Sequence, residues 1–296
     1  MDLVLDLGQS GARVRYAEAD YSFNLSKNSN EPVIDTLQRI FEEIPKQEFE
    51  SIYLSLTGLQ GVVPDTTPYG NLCSEFFKAK TVAVIDDGLA AYCGAIGLEN
   101  GVVLTLGSGV VAIAGRNGSF AHCDGKGPIF GDYGGGFWIG QMGLSKAIAT
   151  LDGRDDAHDL VELLASELDS YRALENSTGT EATSLCISAA KGVLLGAAKN
   201  IASAEVIAEQ AAEKLSTTVI SAWSKTQPTK DESPLISFLG GLSQSQYFVE
   251  LLRRDISRKM PTAKFINPAG NHLDGAPIIA KAFPDGLKPL LDWWRA

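Results

Sequence analysis

A strand, a turn of glycine and serine, and a second strand occur twice in this chain, about a hundred residues apart. The first copy is VLDLGQSGARVRYAE from Val4, and the second is VLTLGSGVVAIAG from Val103. In each copy an apolar run typical of a buried strand enters the turn and continues as an apolar or alternating run. Duplication of one such unit predicts two related α/β domains rather than a single sheet.

The segments that follow each copy support this organisation. After the first copy, the residue pattern predicts a helix over 31–44, strands at Ser51–Leu56 and Thr81–Ile85 with a loop through Gly70 between them, and a helix from Asp87 to Gly97. After the second copy we expect a glycine-dense loop, a mostly helical stretch over 137–224, a strand in PLISFL, and a closing helix from Asp274 or Gly275 that breaks near Pro284.

These elements predict an N-terminal domain over residues 1–100 and a larger C-terminal domain with a helical insertion over 101–296, whose closing helix is a candidate to pack back on the first domain. Hydrophobic residues make up 45% and charged residues 21% of the 296, which is typical of a folded globular protein. A net charge of −11 argues against a nucleic-acid or anionic-membrane partner.

The four cysteines are scattered and form no C-x-x-C pair, which fits neither a disulfide scaffold nor a zinc or iron–sulfur cluster. No targeting segment opens the chain, and no run of 18 apolar residues occurs in it. We therefore expect a cytoplasmic protein.

Each of the two turns is a candidate phosphate-binding loop. Consecutive backbone amides in a glycine-rich turn bind anions, and glycine lets a phosphate come close to the chain. One such hairpin by itself indicates only a tight turn, whereas two matching ones indicate a nucleotide held from both sides. The candidate residues are Gly8, Gln9, Ser10, Gly107, Ser108 and Gly109.

Asp6 interrupts the first apolar run just before its turn. A buried carboxylate without a partner costs on the order of several kcal/mol, so it needs one. A Mg²⁺ ion that bridges to phosphates is one candidate, and a salt bridge to Arg13 or Arg15 is the other. Thr105 stands at the equivalent place in the second copy, so only one copy supplies an acid, which suits a single metal site.

Paired acids end the predicted strand in VIDDGLAA, where a helix begins. An acid at such a junction can accept the proton of a hydroxyl that attacks a phosphoryl group. The alternative is that Asp86 or Asp87 only caps the helix.

The stretch GKGPIFGDYGGGFWIG contains seven glycines in sixteen residues and therefore predicts an irregular loop. Its acid, Asp132, can accept hydrogen bonds from neighbouring sugar hydroxyls, with the backbone of Gly125, Lys126 and Gly127 beside it. The alternative is a structural loop, and in both cases we expect Phe137 and Trp138 to lie in the core.

A second glycine-containing junction, FLGGLSQSQYF, predicts a strand, a Gly-Gly turn and a helix. Exposed backbone at Gly240 and Gly241, with Ser245 after it, would let a flat base or ribose lie against the chain. The alternative is an ordinary turn between a strand and a helix.

In this order the motifs resemble those of the sugar kinase/heat-shock chaperone/actin ATPase fold, and most closely the N-acetylglucosamine kinase branch of the BadF/BadG/BcrA/BcrD-type ATPase family. DLGQSG resembles the first phosphate loop, D-G-G-G-T, and LGSG resembles the second. DDGLAA resembles the N-D-x-x-A-A connector, which implies that Asp87 is the catalytic base. LGGLSQS resembles the adenosine motif, and DGAPIIA resembles the closing D-G-A-x-x-x-A.

The most specific match is CDGKGPIFGDYGGGFWIG, which resembles the sugar-binding stretch C-G-G-x-G-x-x-x-G-D-E-G-S-x-x-W-I-G. Tyr133 departs from the glutamate that relatives carry there, and Gln9 from a glycine of the first loop. Relatives use an asparagine of the first domain to contact the sugar, for which Asn28 and Asn30 are candidates. The paired cysteines of the cluster-bearing branch are missing.

The resemblance implies duplicated ribonuclease H-like (actin-like ATPase) domains with a nucleotide and substrate cleft between them. It implies an enzyme that uses ATP and Mg²⁺ to phosphorylate N-acetylglucosamine or glucosamine at the 6-hydroxyl, and relatives suggest a homodimer. Two alternatives are open: a non-catalytic sugar or nucleotide sensor, and an ATPase that drives a partner protein.

Overall fold

The computed structural model describes residues 1–8, 11–24, 31–173 and 179–296. The site candidates Gln9 and Ser10 and the sugar-contact candidates Asn28 and Asn30 therefore lie outside the described residues.

The described chain alternates strands and helices. The strands are β1 (Asp2–Gly8), β2 (Gly11–Tyr16), β3 (Ala19–Phe23), β4 (Ser51–Leu56), β5 (Thr81–Asp86), β6 (Gly101–Leu106), β7 (Val110–Arg116), β8 (Ser119–Asp124), β9 (Leu235–Leu239), β10 (Lys264–Phe265) and β11 (Leu291–Arg295). The helices are α1 (Val33–Glu43), α2 (Thr67–Phe77), α3 (Asp87–Ile96), α4 (Gly136–Leu151), α5 (His158–Leu163), α6 (Ala165–Ala173), α7 (Gly179–Ala197), α8 (Ala202–Lys225), α9 (Gln246–Lys259) and α10 (His272–Ala282).

Contacts between Cα atoms divide the chain into two units. The first unit consists of Met1–Val103 together with Asn267–Ala296, and the second is Leu104–Ile266. This division differs from the domains predicted over 1–100 and 101–296 in the last segment, which groups with the first unit and brings α10 with it. The predicted cleft between the domains stays a prediction.

The two sheets repeat one strand order, as the duplicated motif predicts. The first sheet runs β11-β5-β4-β1-β2-β3, and the second runs β10-β9-β6-β7-β8. If β11 is set aside, the two orders match. The first three strands of each unit, β1 to β3 and β6 to β8, lie at one side of the sheet, and the next two, β4 and β5 or β9 and β10, lie at the other. In the first sheet β1 pairs antiparallel with β2 and parallel with β4. The predicted α/β fold with duplicated sheets is confirmed.

Alternation along β1 gives the first sheet an apolar face and a polar face, because successive side chains of a strand point to opposite sides. Leu3, Leu5 and Leu7 join a buried cluster with Phe41 of α1 and Phe77 of α2. Helices α1 and α2 therefore cover this face, and Asp6 belongs to the opposite face.

Helix α10 packs directly on α3 within the first unit, and two glycines permit the close approach. A Cβ added at Gly94 would lie 1.9 Å from the carbonyl oxygen of Asn271, and one added at Gly275 would lie 1.9 Å from that of Ala90. Both distances are far shorter than any real contact. The approach places the N-terminus of α10 beside the polar face of the sheet.

In the second unit, helices α4 to α8 follow β8 and form the predicted helical insertion. No single helix of the described residues is long and apolar enough to cross a membrane; α7 and α8 pass that test only as a pair bent by 109°.

Several local expectations were wrong. The predicted loop through Gly70 is helix α2, which has Pro68 in its first turn, where the missing amide does no harm. Gly70 is there because a Cβ would lie 2.0 Å from the ring of Trp294.

The chain ends in β11 rather than in a helix, because its bulky side chains pair with β5. Strands β3 and β8 were also missed, and α10 begins at His272 rather than at Asp274 or Gly275.

Candidate active site

Asp6 lies at the centre of a polar row across three strands of the first sheet. It stands opposite Arg13 on β2 and Ser55 on β4. Its Oδ1 accepts a hydrogen bond of 2.8 Å from the Ser55 hydroxyl, and its Oδ2 accepts from Arg13 Nη2 at 2.6 Å and Nε at 3.2 Å. The salt bridge to Arg13 that the sequence left open is thus formed, whereas Arg15 pairs with Asp20 and Asp274.

The hydrogen bonds of Asp6 affect how it could hold a metal ion. No group of three or more His, Cys, Asp or Glu side chains in the described part of the chain could hold a metal by itself. Both oxygens of Asp6 already accept hydrogen bonds from protein groups. Asp6 would therefore share its oxygens between these two partners and any Mg²⁺ ion that it helps to hold, directly or through water. The metal role of Asp6 stays a prediction.

Asp86 caps helix α3, which is one of the two interpretations that the sequence left open for the paired acids. The residue is buried, at 1% exposure. Its Oδ1 accepts from the amide of Gly88 at 3.1 Å, and its Oδ2 accepts from the amide of Gly61 at 3.1 Å. Asp86 thus fixes the start of α3 and the loop after β4, and it leaves Asp87 as the candidate base.

Asp87 opens α3, and its surroundings favour the protonated carboxyl. Loss of hydration on burial raises its pKa well above the ordinary value of 3.8, and the charges of Asp86 and Asp6 raise it further. Hydrogen bonds from the Thr57 hydroxyl and the Gly88 amide oppose the shift. A carboxylate with a raised pKa is a stronger base, which suits the acceptance of a proton from a hydroxyl.

His272 is a neighbour of this row that the sequence did not indicate. Its Nδ1 lies 3.2 Å from Nη2 of Arg13, across 259 positions of sequence. Burial lowers the pKa of His272, so a neutral ring can accept the Arg13 hydrogen at Nδ1. No local motif could have predicted the contact, because it arises only when α10 packs beside the sheet.

In the second unit the predicted phosphate turn is tied to the start of α4. The amide of Gly107 donates to the carbonyl of Gly109 at 3.0 Å, which closes the turn. The amides of Gly136 and Phe137 then donate to the carbonyls of Gly107 and Ser108, both at 2.9 Å. The turn is therefore held rigidly, and the Gly107 amide is engaged within it.

Asp132 lies against that same turn. Its backbone has a left-handed φ of 58°, and its amide donates to Asp124 Oδ1 at 2.8 Å. A Cβ added at Gly109 would lie 2.5 Å from Asp132 Oδ2. The predicted phosphate turn and the predicted sugar acid are thus neighbours within the second unit.

The carboxylate of Asp132 is buried, at 5% exposure, and its Oδ1 has no hydrogen-bond partner among the described residues. Burial raises its pKa, and the charge of Asp124 adds to the shift, whereas the backbone amides of Val110, Gly127 and Gly125 oppose it. A buried polar atom without a partner is costly, and a ligand hydroxyl would satisfy it.

The loop before Asp132 turns through left-handed glycines, Gly125 and Gly127, on either side of Lys126. It exposes two large apolar side chains, Ile129 at 75% and Phe130 at 82%.

The aromatic residues after Asp132 behave differently from expectation. Phe137 and Trp138 are only partly buried rather than in the core. The ammonium of Lys214 lies 5.7 Å from the centre of the Trp138 ring and 5.6 Å from that of the exposed Tyr133 ring, at cation–π distance. Lys214 thus contacts both aromatic rings.

Of the two glycines after β9, Gly240 is required by close packing, whereas Gly241 is not. Gly240 has a φ of 98°, and a Cβ there would lie 2.3 Å from the carbonyl oxygen of Leu106. A Cβ at Gly241 would meet no atom within 4 Å, so this backbone is accessible. The Ser245 hydroxyl caps α9 by accepting from the amide of Phe248 at 3.4 Å.

Comparison with known proteins identifies relatives along most of the chain. The family model of the BadF/BadG/BcrA/BcrD ATPase family matches residues 5–276. The N-acetylmuramic acid/N-acetylglucosamine kinase of Clostridium acetobutylicum is 22% identical over 303 aligned positions, which cover 94% of this chain and 97% of that protein.

Two solved structures share the fold. A protein of Chromobacterium violaceum, provisionally described as an N-acetylglucosamine kinase, superposes with a TM-score of 0.65 at 21% identity, over 94% of this chain and 97% of that one. A glucokinase of the ROK family from Streptomyces griseus, bound to glucose and AMPPNP, gives 0.60 at 14% identity, over 96% and 99%.

The raised pKa of Asp87 predicts a pH-dependent change in stability for Asp87→Asn. An acid whose pKa is raised on folding is protonated more readily in the folded protein, so its ionisation at higher pH destabilises the fold. The neutral amide avoids this cost. The variant should therefore unfold at a higher temperature than the parent at alkaline pH, on the order of 2 °C higher. The difference should shrink as the pH falls through the folded pKa towards 3.8.

Thermal unfolding followed by circular dichroism across this pH range measures the effect. Asp35→Asn is the control, because Asp35 is an exposed residue of α1 on the other side of the sheet. A difference between Asp87→Asn and the parent that does not change with pH would contradict the assignment.

Proposed function

The chain belongs to the BadF/BadG/BcrA/BcrD ATPase family, and we propose that it is an ATP-dependent kinase that phosphorylates the 6-hydroxyl of an amino sugar, N-acetylglucosamine or glucosamine. The observation that carries the proposal is the division of roles between the paired acids. Asp86 is committed to capping α3, and Asp87 is left beside Asp6 with a raised pKa.

In the proposed reaction Asp87 accepts the proton of the sugar hydroxyl as its oxygen attacks the γ-phosphorus of ATP. A new bond forms between this oxygen and phosphorus, and the bond from phosphorus to the β–γ bridging oxygen breaks, so ADP leaves. A positioned base is typically worth about 10²- to 10⁴-fold in rate.

The nucleotide is proposed to bind at the glycine turns. Backbone amides of Gly8, Gln9 and Ser10, with the turn Gly107–Gly109 and its Ser108, would orient the phosphates. Asp6 would help to hold a Mg²⁺ ion, which would supply positive charge at the β- and γ-phosphoryl groups. The accessible backbone at Gly241, with Gly240 and Ser245, would lie against the adenosine.

The sugar is proposed to bind at Asp132 with the backbone of Gly125, Lys126 and Gly127. The buried Oδ1 of Asp132 supports this, because a sugar hydroxyl would supply the hydrogen bond that the described residues do not. Carboxylates accept bonds from two neighbouring hydroxyls, which is the pattern that a sugar ring presents.

The proposal extends to location and partners. The four cysteines are free thiols, in keeping with the reducing cytoplasm that we propose. The net charge of −11 supports small-molecule ligands rather than nucleic acid or an anionic membrane surface. A homodimer is part of the proposal on the strength of the family alone.

Release of ADP in the presence of Mg²⁺ and ATP tests the proposal against N-acetylglucosamine, glucosamine, glucose, N-acetylmannosamine and N-acetylmuramic acid. We expect release that depends on N-acetylglucosamine or glucosamine. Release that needs no sugar would favour an ATPase that drives a partner. ATP binding without release under any condition would favour a sensor.

Asp87→Asn should lower sugar-dependent turnover by about 10²-fold or more, because the amide cannot accept the proton. The sugar affinity should change little, since an amide retains the shape and one oxygen of the acid. Asp35→Asn is again the matched control and should turn over normally. Near-parental turnover of Asp87→Asn would remove this residue from the mechanism.

Asp132→Asn should weaken sugar binding by roughly tenfold, the usual effect of losing a charge-assisted hydrogen bond, and should leave ADP binding unchanged. Asparagine is the appropriate replacement because it tolerates the left-handed backbone of this position. Calorimetry with each ligand measures both affinities, and ADP serves as the internal control. An unchanged sugar affinity would refute the role.

A further inference from the structure

Asp124, the last residue of β8, is bonded to the loop that carries Asp132. Its Oδ1 accepts a hydrogen bond of 2.8 Å from the backbone amide of Asp132, eight positions further along the chain. Its Oδ2 accepts from the hydroxyl of Thr218 on α8 at 3.5 Å. The side chain of Asp124 therefore joins the end of β8, the glycine-rich loop and α8.

The loop closes tightly around the carboxylate of Asp124. A Cβ added at Gly131 would lie 2.7 Å from Asp124 Oδ1, which is closer than real Cβ atoms come. The amide of Gly131 donates to the carbonyl of Gly127 at 2.9 Å. The backbone just before Asp132 is thus wound against the Asp124 side chain, and the glycine at 131 permits this approach.

Both acids have a left-handed backbone, with φ of 68° at Asp124 and 58° at Asp132. This conformation is uncommon for residues other than glycine, and it persists where surrounding contacts impose it. The hydrogen bond from the Asp132 amide to the Asp124 carboxylate is a contact of this kind. Its loss would leave the backbone of Asp132 less firmly held.

The direction of the Asp132 carboxylate depends on this backbone. Asp124 pairs with Val111, two residues after Gly109, so the end of β8 lies beside the second phosphate turn. Oδ2 of Asp132 lies against Gly109, and its Oδ1 is buried without a partner among the described residues. A change in the backbone angles of Asp132 would move both oxygens away from these positions.

The hydrogen bond, rather than the charge, is the favourable contact between the two acids. Burial raises the pKa of Asp132, and the negative charge of Asp124 raises it further, so this charge opposes ionisation of the sugar acid. A hydrogen bond from a backbone amide to a carboxylate is stronger than one between neutral groups. The loop therefore requires an acceptor at position 124, and a neutral acceptor should serve it as well.

We propose that Asp124 is a positioning residue of the sugar site: by accepting the hydrogen bond of the Asp132 amide, it fixes the loop so that Oδ1 of Asp132 is presented to the sugar hydroxyls. Asp124 acts through Asp132 and does not itself touch the sugar. The inference rests on the proposed function, since it takes Asp132 as the sugar acid, and it adds a residue to that site.

Calorimetric titration of N-acetylglucosamine and of ADP into Asp124→Gly tests the inference. Glycine keeps the left-handed backbone and removes the acceptor. The affinity for N-acetylglucosamine should fall by roughly tenfold, the usual effect of losing a hydrogen bond to a charged group, and the ADP affinity should stay within about twofold of the parent. In turnover, the KM for the sugar should rise by the same factor, with kcat within about threefold, because Asp87 belongs to the first unit.

Two further variants separate the hydrogen bond from other effects of the substitution. Asp124→Asn retains an acceptor oxygen and tolerates the left-handed backbone, so its sugar affinity should stay within about twofold of the parent. Asn117→Gly is the control for the freedom that glycine adds. Asn117 also has a left-handed φ, 51°, and lies in the turn at the opposite end of the hairpin of β7 and β8. This control should bind the sugar as the parent does.

Hydrogen exchange of the unliganded protein tests the positioning without any ligand. Amides in peptides that cover residues 125–135 should exchange about tenfold faster or more in Asp124→Gly than in the parent, because the loop opens more readily without its anchor. The same peptides should exchange at the parental rate in Asp124→Asn.

Three results would overturn the inference while the proposed function stands. They are a parental sugar affinity in Asp124→Gly, a loss in Asp124→Asn as large as that in Asp124→Gly, and an equal loss of sugar and ADP affinity in Asp124→Gly. The last result, which includes failure of this variant to fold, would mean that Asp124 supports the unit as a whole. Failure of the parent to bind any of the tested sugars would instead reject the sugar site itself, and the inference with it.

Discussion

A carboxylate buried within a sheet, Asp6, needs partners on both sides, and the first unit is organised around that need. Ser55 and Arg13 supply them from the two neighbouring strands, so one polar row spans β2, β1 and β4. The leucines that alternate with Asp6 along β1 bury the opposite face under α1 and α2. The sheet thus has an apolar face under α1 and α2 and an opposite face that carries the polar row, beside which α10 packs.

The repeated strand order and the unequal side chains of the two units have different causes. Both sheets have the same succession of strands, as expected when one supersecondary unit is duplicated. The acids differ between the units. The first unit has Asp6, Asp86 and Asp87 in or directly after its strands. The second unit has Thr105 at the place of Asp6, and its Asp132 comes from a loop and lies against Gly109. Duplication therefore explains the scaffold but not the candidate site residues, which differ between the two halves.

Local sequence signals predicted the elements that depend on local physics. Periodicity located α1 and β4, and the acid pair located the junction of β5 and α3. Sequence could not assign both oxygens of Asp86, because the second one accepts from the amide of Gly61, which lies 25 residues away along the chain. It also missed His272 and α2, for which the deciding contacts, with Arg13 and with Trp294, are made only in the folded unit.

The central claim, that Asp87 and its surroundings support phosphoryl transfer to a sugar 6-hydroxyl, is tested most directly by the identity of the product. Two-dimensional ³¹P–¹H correlation NMR of a reaction with ATP, Mg²⁺ and either N-acetylglucosamine or glucosamine locates the transferred phosphorus. The account predicts a new phosphorus resonance that correlates with the protons on C6. A correlation with the anomeric proton, or inorganic phosphate as the sole product, would contradict it.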